Sequence, residues 1–228
     1  MSLAAKAPET GVRSVTIEKH EPDGNVTSSN DIVAVEEPLE IRLACGNDHR
    51  AVAITMRTPG NDIELACGFL FTEGVLRSPE SVVAVRHCGR FPSQENTIRV
   101  ELGSFDGIDL ERLSRNFYTT SSCGVCGRSS LDALTASGVK PVSFDGTKIS
   151  GAVVSRLPDK LIETQDIFGE TGGLHAAALF DANGEFVDAK EDVGRHNAVD
   201  KLIGRKFLDS RLPLSSKVLF LSGRASFE

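Results

Sequence analysis

The stretch Leu174-His175-Ala176-Ala177-Ala178-Leu179-Phe180-Asp181-Ala182-Asn183-Gly184-Glu185-Phe186-Val187-Asp188-Ala189 decides the fold class. Leu174 to Phe180 and Glu185 to Ala189 form a hairpin around Asp181-Ala182-Asn183-Gly184, the strongest short-range turn signal in the chain. Downstream, Ala198, Val199, Leu202, Ile203 and Phe207 recur at the 3.6-residue spacing of a helix. Lys217 to Leu221 is a short apolar strand. Upstream, Pro158 to Phe168 reads as one helix stopped by Gly169. Strands and helices alternate, so the class is α/β, a mixed β-sheet with flanking helices.

The first half is richer in strands. Ile32 to Val35, Leu39 to Leu43 and Ala51 to Met56 are alternating or β-branched runs, with turns at Gly46-Asn47-Asp48 and Pro59-Gly60. Asn61 or Asp62 is the expected N-cap of a helix whose apolar stripe is Ile63, Ala66, Cys67, Leu70 and Phe71, with Gly74 as its stop. Val82 to Arg86 and Thr97 to Leu102 are further strands, and Asp109 to Phe117 is a short helix. Residues 1–14 and 21–31 are polar and rich in Gly, Pro, Ser and Asn, which predicts mobile or irregular backbone. The expected division is a flexible segment over 1–31, a β-rich part over 32–118, a mobile loop over 119–128 and an α/β part over 129–228. Because the chain ends at Phe227-Glu228, just where a strand–turn–helix unit begins, the last part is expected to be truncated.

Composition excludes several classes. The chain has 228 residues, 40% of them hydrophobic, enough for one sizeable core or two small ones. A net charge of −7 argues against a general nucleic-acid binder, whose footprint is basic. No run of 18 apolar residues appears, and Met1 to Thr10 lacks the apolar core of a signal peptide. A cytoplasmic protein with no membrane partner is the expectation. Five cysteines, an odd number, speak against a disulfide framework. Cys45, Cys67 and Cys88 sit in or beside apolar runs and are expected to pack as small hydrophobes.

The other two cysteines differ. Thr119-Thr120-Ser121-Ser122-Cys123-Gly124-Val125-Cys126-Gly127-Arg128 sets two thiols two residues apart among small, polar and glycine residues. That spacing turns both sulfurs to one reaction partner or one metal. Ser129 and Asp132 fit a helix capping pattern directly after the loop, and the positive end of that helix favours thiolate. Two chemistries follow, nucleophilic sulfur transfer and half of a structural zinc site.

Four further segments combine glycine with polar groups: Arg57-Thr58-Pro59-Gly60-Asn61-Asp62, Glu170-Thr171-Gly172-Gly173-Leu174-His175, Glu191-Asp192-Val193-Gly194-Arg195-His196-Asn197 and Ser222-Gly223-Arg224. The last three flank predicted strand ends or helix starts, where open α/β sheets bind ligands. Glycine admits a phosphate to backbone amides, and arginine pairs with it in bidentate fashion. Gly172, Gly173, His175, Asp192, Arg195, His196 and Arg224 are therefore the candidate contacts of an anionic ligand. A zinc deaminase needs H-x-E and P-C-x-x-C. The residues two after each histidine here are Pro22, Ala51, Gly89, Ala177 and Ala198, and Ser122 precedes Cys123, which argues against deamination.

Taken in order, Arg57-Thr58-Pro59-Gly60 with Glu64-Leu65-Ala66-Cys67-Gly68-Phe69-Leu70, then Ser121-Ser122-Cys123-Gly124-Val125-Cys126-Gly127, Thr171-Gly172-Gly173-Leu174-His175-Ala176-Ala177, Glu191 to Lys201, and Ser222-Gly223-Arg224-Ala225-Ser226 resemble the FdhD/NarQ family of formate dehydrogenase accessory sulfurtransferases. The resemblance runs from about Val33 onward. It implies a cytidine-deaminase-like α/β fold without the deaminase zinc site. It also implies a sulfurtransferase that carries persulfide sulfur from a cysteine desulfurase of the IscS type to the molybdenum bis-guanine-dinucleotide cofactor of formate dehydrogenase. By position, Cys123 matches the persulfide-carrying cysteine and Cys126 its partner. The cofactor would be a transient ligand, with no resident metal, and the resemblance leaves room for a homodimer.

Overall fold

The computed structural model describes residues 11–90, 94–108 and 146–225. Two strands come first among the described residues, β1 (Val12–His20) and β2 (Val26–Ala34), paired antiparallel as an exposed ribbon from Val12 opposite Ala34 to His20 opposite Val26. Residues 21–31 are thus largely a strand and its turn, not irregular backbone. The turn closes through Gly24 N–H donating to the Glu21 carbonyl and Asp23 accepting from the Asn25 amide. Backbone pairing holds this ribbon, so its polar composition is no obstacle.

A four-stranded sheet follows, built from β3 (Glu37–Cys45), β4 (Asp48–Arg57), β5 (Val82–His87) and β6 (Thr97–Leu102) in the order β4-β3-β6-β5. Only β3 and β6 run parallel, with Ile41 beside Ile98 and Leu43 beside Val100. Alternation places Leu39, Ile41, Leu43, Ile98 and Val100 wholly out of water on one face. Helix α1 (Asp62–Thr72) covers that face with Leu65, Ala66, Cys67 and Leu70. Its start is at Asn61, as expected, but in the left-handed conformation (φ 58) and without a side-chain cap. Gly74 ends it at φ 74, where glycine has no steric cost.

Among the described residues, the second half holds three short helices, α2 (Gly151–Val154), α3 (Leu157–Ile162) and α4 (Asp166–Thr171), then strands β7 (His175–Asp181) and β8 (Phe186–Asp192), helix α5 (Arg195–Leu208) and strand β9 (Lys217–Leu221). The expected hairpin is present, and Gly184 takes φ 78 at its turn. The single helix expected over Pro158 to Phe168 is broken at Gln165 and runs past Gly169 to a left-handed Gly172. The cause is remote. The Glu191 carboxylate on β8 accepts the amides of Ile167 and Phe168 and caps a new helix there.

In the second sheet β7 is central, between β8 and β9, and all the pairings are antiparallel. The α/β class stands, with the described strands grouped in separate sheets and the parallel pair confined to the first half. Both faces of β7 are buried. Ala176, Ala178 and Phe180 meet Leu157 and Leu161 of α3, whereas Ala177 and Leu179 meet Ala198 and Leu202 of α5. Helix α5 also reaches back, and its Phe207 lies in the core under the first sheet. No helix among the described residues is long and apolar enough to cross a membrane.

Helices α1 and α5 cross at backbone contact. A Cβ on Gly68 would lie 1.8 Å from the Asp200 carbonyl oxygen, and one on Gly204 would lie 1.8 Å from that of Glu64. This crossing buries α1 on two sides, which is why Ile63, counted in the expected stripe, is exposed at 41% while Leu65 is buried. Overpacking of a core costs about 1–3 kcal/mol where side chains can yield, and here only backbone can. Gly68→Ala is therefore expected to lower unfolding free energy by about 3 kcal/mol or more, read as a fall in the urea midpoint. Gly169→Ala, at a position with open space around it, should move the midpoint far less.

Candidate functional site

The register of the second sheet brings three of the glycine-flanked segments to one end. His175 opens β7 directly opposite Asp192, the last residue of β8. Ser222, just past β9, exchanges hydrogen bonds with Ala176: its N–H donates to the Ala176 carbonyl at 3.0 Å and its hydroxyl accepts from the Ala176 N–H at 2.8 Å. Gly223 follows, and a Cβ there would stand 3.2 Å from His175 Nδ1 and 3.8 Å from Arg195 Cδ. His175, Arg195 and Gly223 thus face one another, and a side chain at Gly223 would crowd the histidine ring. Gly172 and Gly173 are exposed at the turn leading into β7, and Arg224 is exposed beyond Gly223.

Arg195 and His196 form the first turn of α5, behind Gly194 at the N-cap. Both are half-buried. The aligned peptide dipoles put partial positive charge at this end, which favours an anion. Arg195 Nε is buried without a hydrogen-bond partner in the protein. A buried guanidinium nitrogen with no acceptor is a position that an anionic ligand satisfies. The residues present fit a phosphate-bearing group: two arginines, a histidine, a helix start and a glycine that keeps the floor open.

Asp192 is the exception among the expected contacts. It is 0% exposed, and both oxygens are taken by the protein. Oδ1 accepts from Gly194 N–H at 2.8 Å and Asn197 Nδ2 at 3.0 Å; Oδ2 accepts from Thr58 N–H at 3.1 Å and pairs with Lys201 Nζ at 2.7 Å. A carboxylate has about four lone-pair sites, so none remains for a ligand. Asp192 is a brace beneath the site. Its expected place as a ligand contact is corrected by that occupancy.

Thr58, Asn197 and Lys201 complete the brace, and none was singled out as a site residue from sequence. Lys201 Nζ also donates to the Thr58 carbonyl at 2.8 Å and the Glu191 carbonyl at 3.2 Å. Asn197 Nδ2 donates to the Met56 carbonyl at 2.7 Å, and its Oδ1 accepts from Thr55 Oγ1 at 3.1 Å. The only signal for Thr58 was its place in a glycine-containing polar segment. Next to it, Arg57 is 0% exposed and holds Asp62 with a two-pronged contact of 3.0 and 2.9 Å. His87, which showed no partner in the sequence, lies 3.6 Å from the same carboxylate.

A polar cleft of about 230 Å³ opens beside this brace, lined by Thr58, Gly60, Asn61, Ile167, Lys190 and Lys201 among others. Its lysines are already engaged, Lys190 with Asn61 and Glu64, Lys201 with the brace. It shares no lining residue with the His175–Arg195–Gly223 cluster.

Cys123 and Cys126 lie outside the described residues, as does the loop over 119–128. Of the other cysteines, Cys67 is fully buried, and burial, with the Glu64 carboxylate adding to it, pushes its thiol up to about 12. It stays protonated and unreactive through the neutral range. Cys45 is half-buried with Sγ 3.7 Å from the Gly103 carbonyl, but Cys88 is exposed and not a packing residue. It follows a strand whose terminal residues face water. Among the described residues no group of three or more His, Cys, Asp or Glu is placed to hold a metal ion.

The FdhD/NarQ family model matches residues 34–228. The "Sulfur carrier protein FdhD" of Streptomyces coelicolor is 47% identical over 211 residues, covering 90% of this chain and 73% of that protein. The protein of the same name from Mycolicibacterium paratuberculosis is 45% identical over 213 residues, covering 92% and 77%. A crystal structure described as a putative formate dehydrogenase accessory protein from Desulfotalea psychrophila superposes with a TM-score of 0.65 at 22% identity, over 93% of this chain and 74% of that one. At that identity the likeness is one of fold.

Proposed function

The chain belongs to the FdhD/NarQ family, and from that membership we propose that it is a sulfur carrier acting as a sulfurtransferase in the cytoplasm. In this reading it takes persulfide sulfur from an IscS-type cysteine desulfurase and delivers it to the molybdenum bis-guanine-dinucleotide cofactor of formate dehydrogenase. The observation that carries the reading is the Cys123-Gly124-Val125-Cys126 sequence, two thiols among glycines, in a chain whose relatives are named sulfur carriers.

The residues divide the work. Cys123 thiolate attacks the terminal sulfur of the donor persulfide, forming Cys123–S–SH and releasing the donor as thiolate. Cys126 thiolate then attacks the inner sulfur, which expels the outer one as hydrosulfide toward the acceptor and leaves a Cys123–Cys126 disulfide. A thiol reductant resets the pair. The acceptor cofactor supplies a metal centre that takes up sulfur. The chain's own contribution on that side is to bind its phosphates: Arg195 and Arg224 supply positive charge and donors, His175 a ring N–H donor, and Gly172, Gly173 and Gly223 leave space for the backbone to approach. What supports this half is the convergence of His175, Arg195 and Gly223 above the positive end of α5.

Mixing the chain with a cysteine desulfurase and free cysteine should add one sulfur to the peptide that carries Cys123, as read by mass spectrometry. The addition should vanish in Cys123→Ala and persist in Cys45→Ala, Cys67→Ala and Cys88→Ala. Stoichiometric zinc bound by Cys123 and Cys126, with no added sulfur, would replace the reading with a metal-binding module.

The ligand half is tested separately by calorimetric titration with GDP. A charged hydrogen bond contributes about 1.5–3 kcal/mol, so Arg195→Ala should weaken binding on the order of tenfold or more. Unchanged affinity in the Arg195→Ala/Arg224→Ala pair would remove both arginines from the site.

A further inference from the structure

The Arg57-Thr58-Pro59-Gly60 segment has no part in the ligand contacts, yet the structure ties it to them. Thr58 is 1% exposed and makes three hydrogen bonds, all to the second half of the chain. Its N–H donates to Asp192 Oδ2 at 3.1 Å, its hydroxyl accepts from Val193 N–H at 3.1 Å, and its carbonyl accepts from Lys201 Nζ at 2.8 Å. These contacts bracket the turn Asp192-Val193-Gly194, and Arg195 is the next residue. Thr58 itself cannot slide, because the neighbouring Arg57 is locked onto buried Asp62.

We propose that Thr58 is a positioning residue for the anion site, its hydroxyl holding the Val193 amide and so fixing where Arg195 enters α5 beside His175 and Gly223. The inference rests on the ligand reading given above. Thr58 meets no ligand in it and acts only through the turn. A strand end in the first half thereby sets the geometry of a site whose contacts all lie in the second.

Thr58→Val removes the acceptor and keeps the shape of the side chain. Thr72→Val is the matched control, since Thr72 Oγ1 donates to Asp200 Oδ1 at 3.0 Å across the same two halves without touching the turn. Two quantities are read, hydrogen exchange at the Val193 and Gly194 amides and GDP affinity by calorimetry. Thr58→Val should speed exchange at Val193 and weaken GDP binding about tenfold. Thr58→Ser should restore both, and Thr72→Val should change neither. Thr58→Ala is measured in the same way if the valine variant does not fold. Val193 exchange no faster in Thr58→Val than in Thr72→Val would overturn the role whatever GDP does. So would faster exchange with unchanged GDP affinity, in a protein where Arg195→Ala does weaken GDP. An Arg195→Ala variant that binds GDP normally would sink the ligand reading instead, leaving the exchange result alone to decide whether Thr58 holds the turn.

Discussion

The carboxylate of Asp192 lies wholly out of water and takes four donors, two on each oxygen, from Gly194, Asn197, Thr58 and Lys201. Burying a charge costs several kcal/mol, and only a partner with good geometry and a full set of hydrogen bonds offsets that cost. Here the partner is Lys201, itself almost wholly buried and bonded to two further carbonyls. The donors come from both halves of the chain. The end of β4, the end of β8 and the start of α5 therefore meet at one point with no freedom of register. The candidate site is built on that point: Gly194 is the cap of α5, Arg195 its first residue, and His175 the strand partner of Asp192.

Packing reinforces the same joint from below. Helix α5 is shared between two cores, giving Ala198 and Leu202 to β7 and Phe207 to the first sheet. It can serve both only because Gly68 and Gly204 let it cross α1 at backbone distance. Moving α5 would disturb the crossing, the brace and the helix start together. A polar brace alone would be weak evidence for stability. Its value is that it specifies one arrangement of elements that apolar packing alone could satisfy in several ways.

What could be read from sequence was what local pattern determines. The β7–β8 hairpin, the limits of α1 and the periodicity of α5 follow from residues a few positions apart, and they stand. The convergence of the segments at 171–175, 191–197 and 222–224 was also legible, because each flanks an element end. What was not legible depended on partners far along the chain. Gln165 breaks a helix because Glu191, on a later strand, caps the next one. The ribbon of β1 and β2 is held by backbone pairing that its exposed, polar side chains do not signal. Asp192 looked like a ligand contact because its glycine and arginine neighbours are ligand-like. Of the groups that engage it, Thr58 lies 134 residues earlier in the chain and Lys201 on α5, the element that follows it.

The buried Asp192–Lys201 pair holds the two halves and the start of α5 together. Lys201→Met tests it most directly, because the side chain keeps its length and loses its charge, leaving Asp192 uncompensated. Urea unfolding with hydrogen exchange at Gly194 gives both readings in one protein. Unfolding free energy is expected to fall by about 3–5 kcal/mol, the cost of breaking a buried pair, with faster exchange at the Gly194 amide. A Lys201→Met chain as stable as the parent, with Gly194 equally protected, would contradict it.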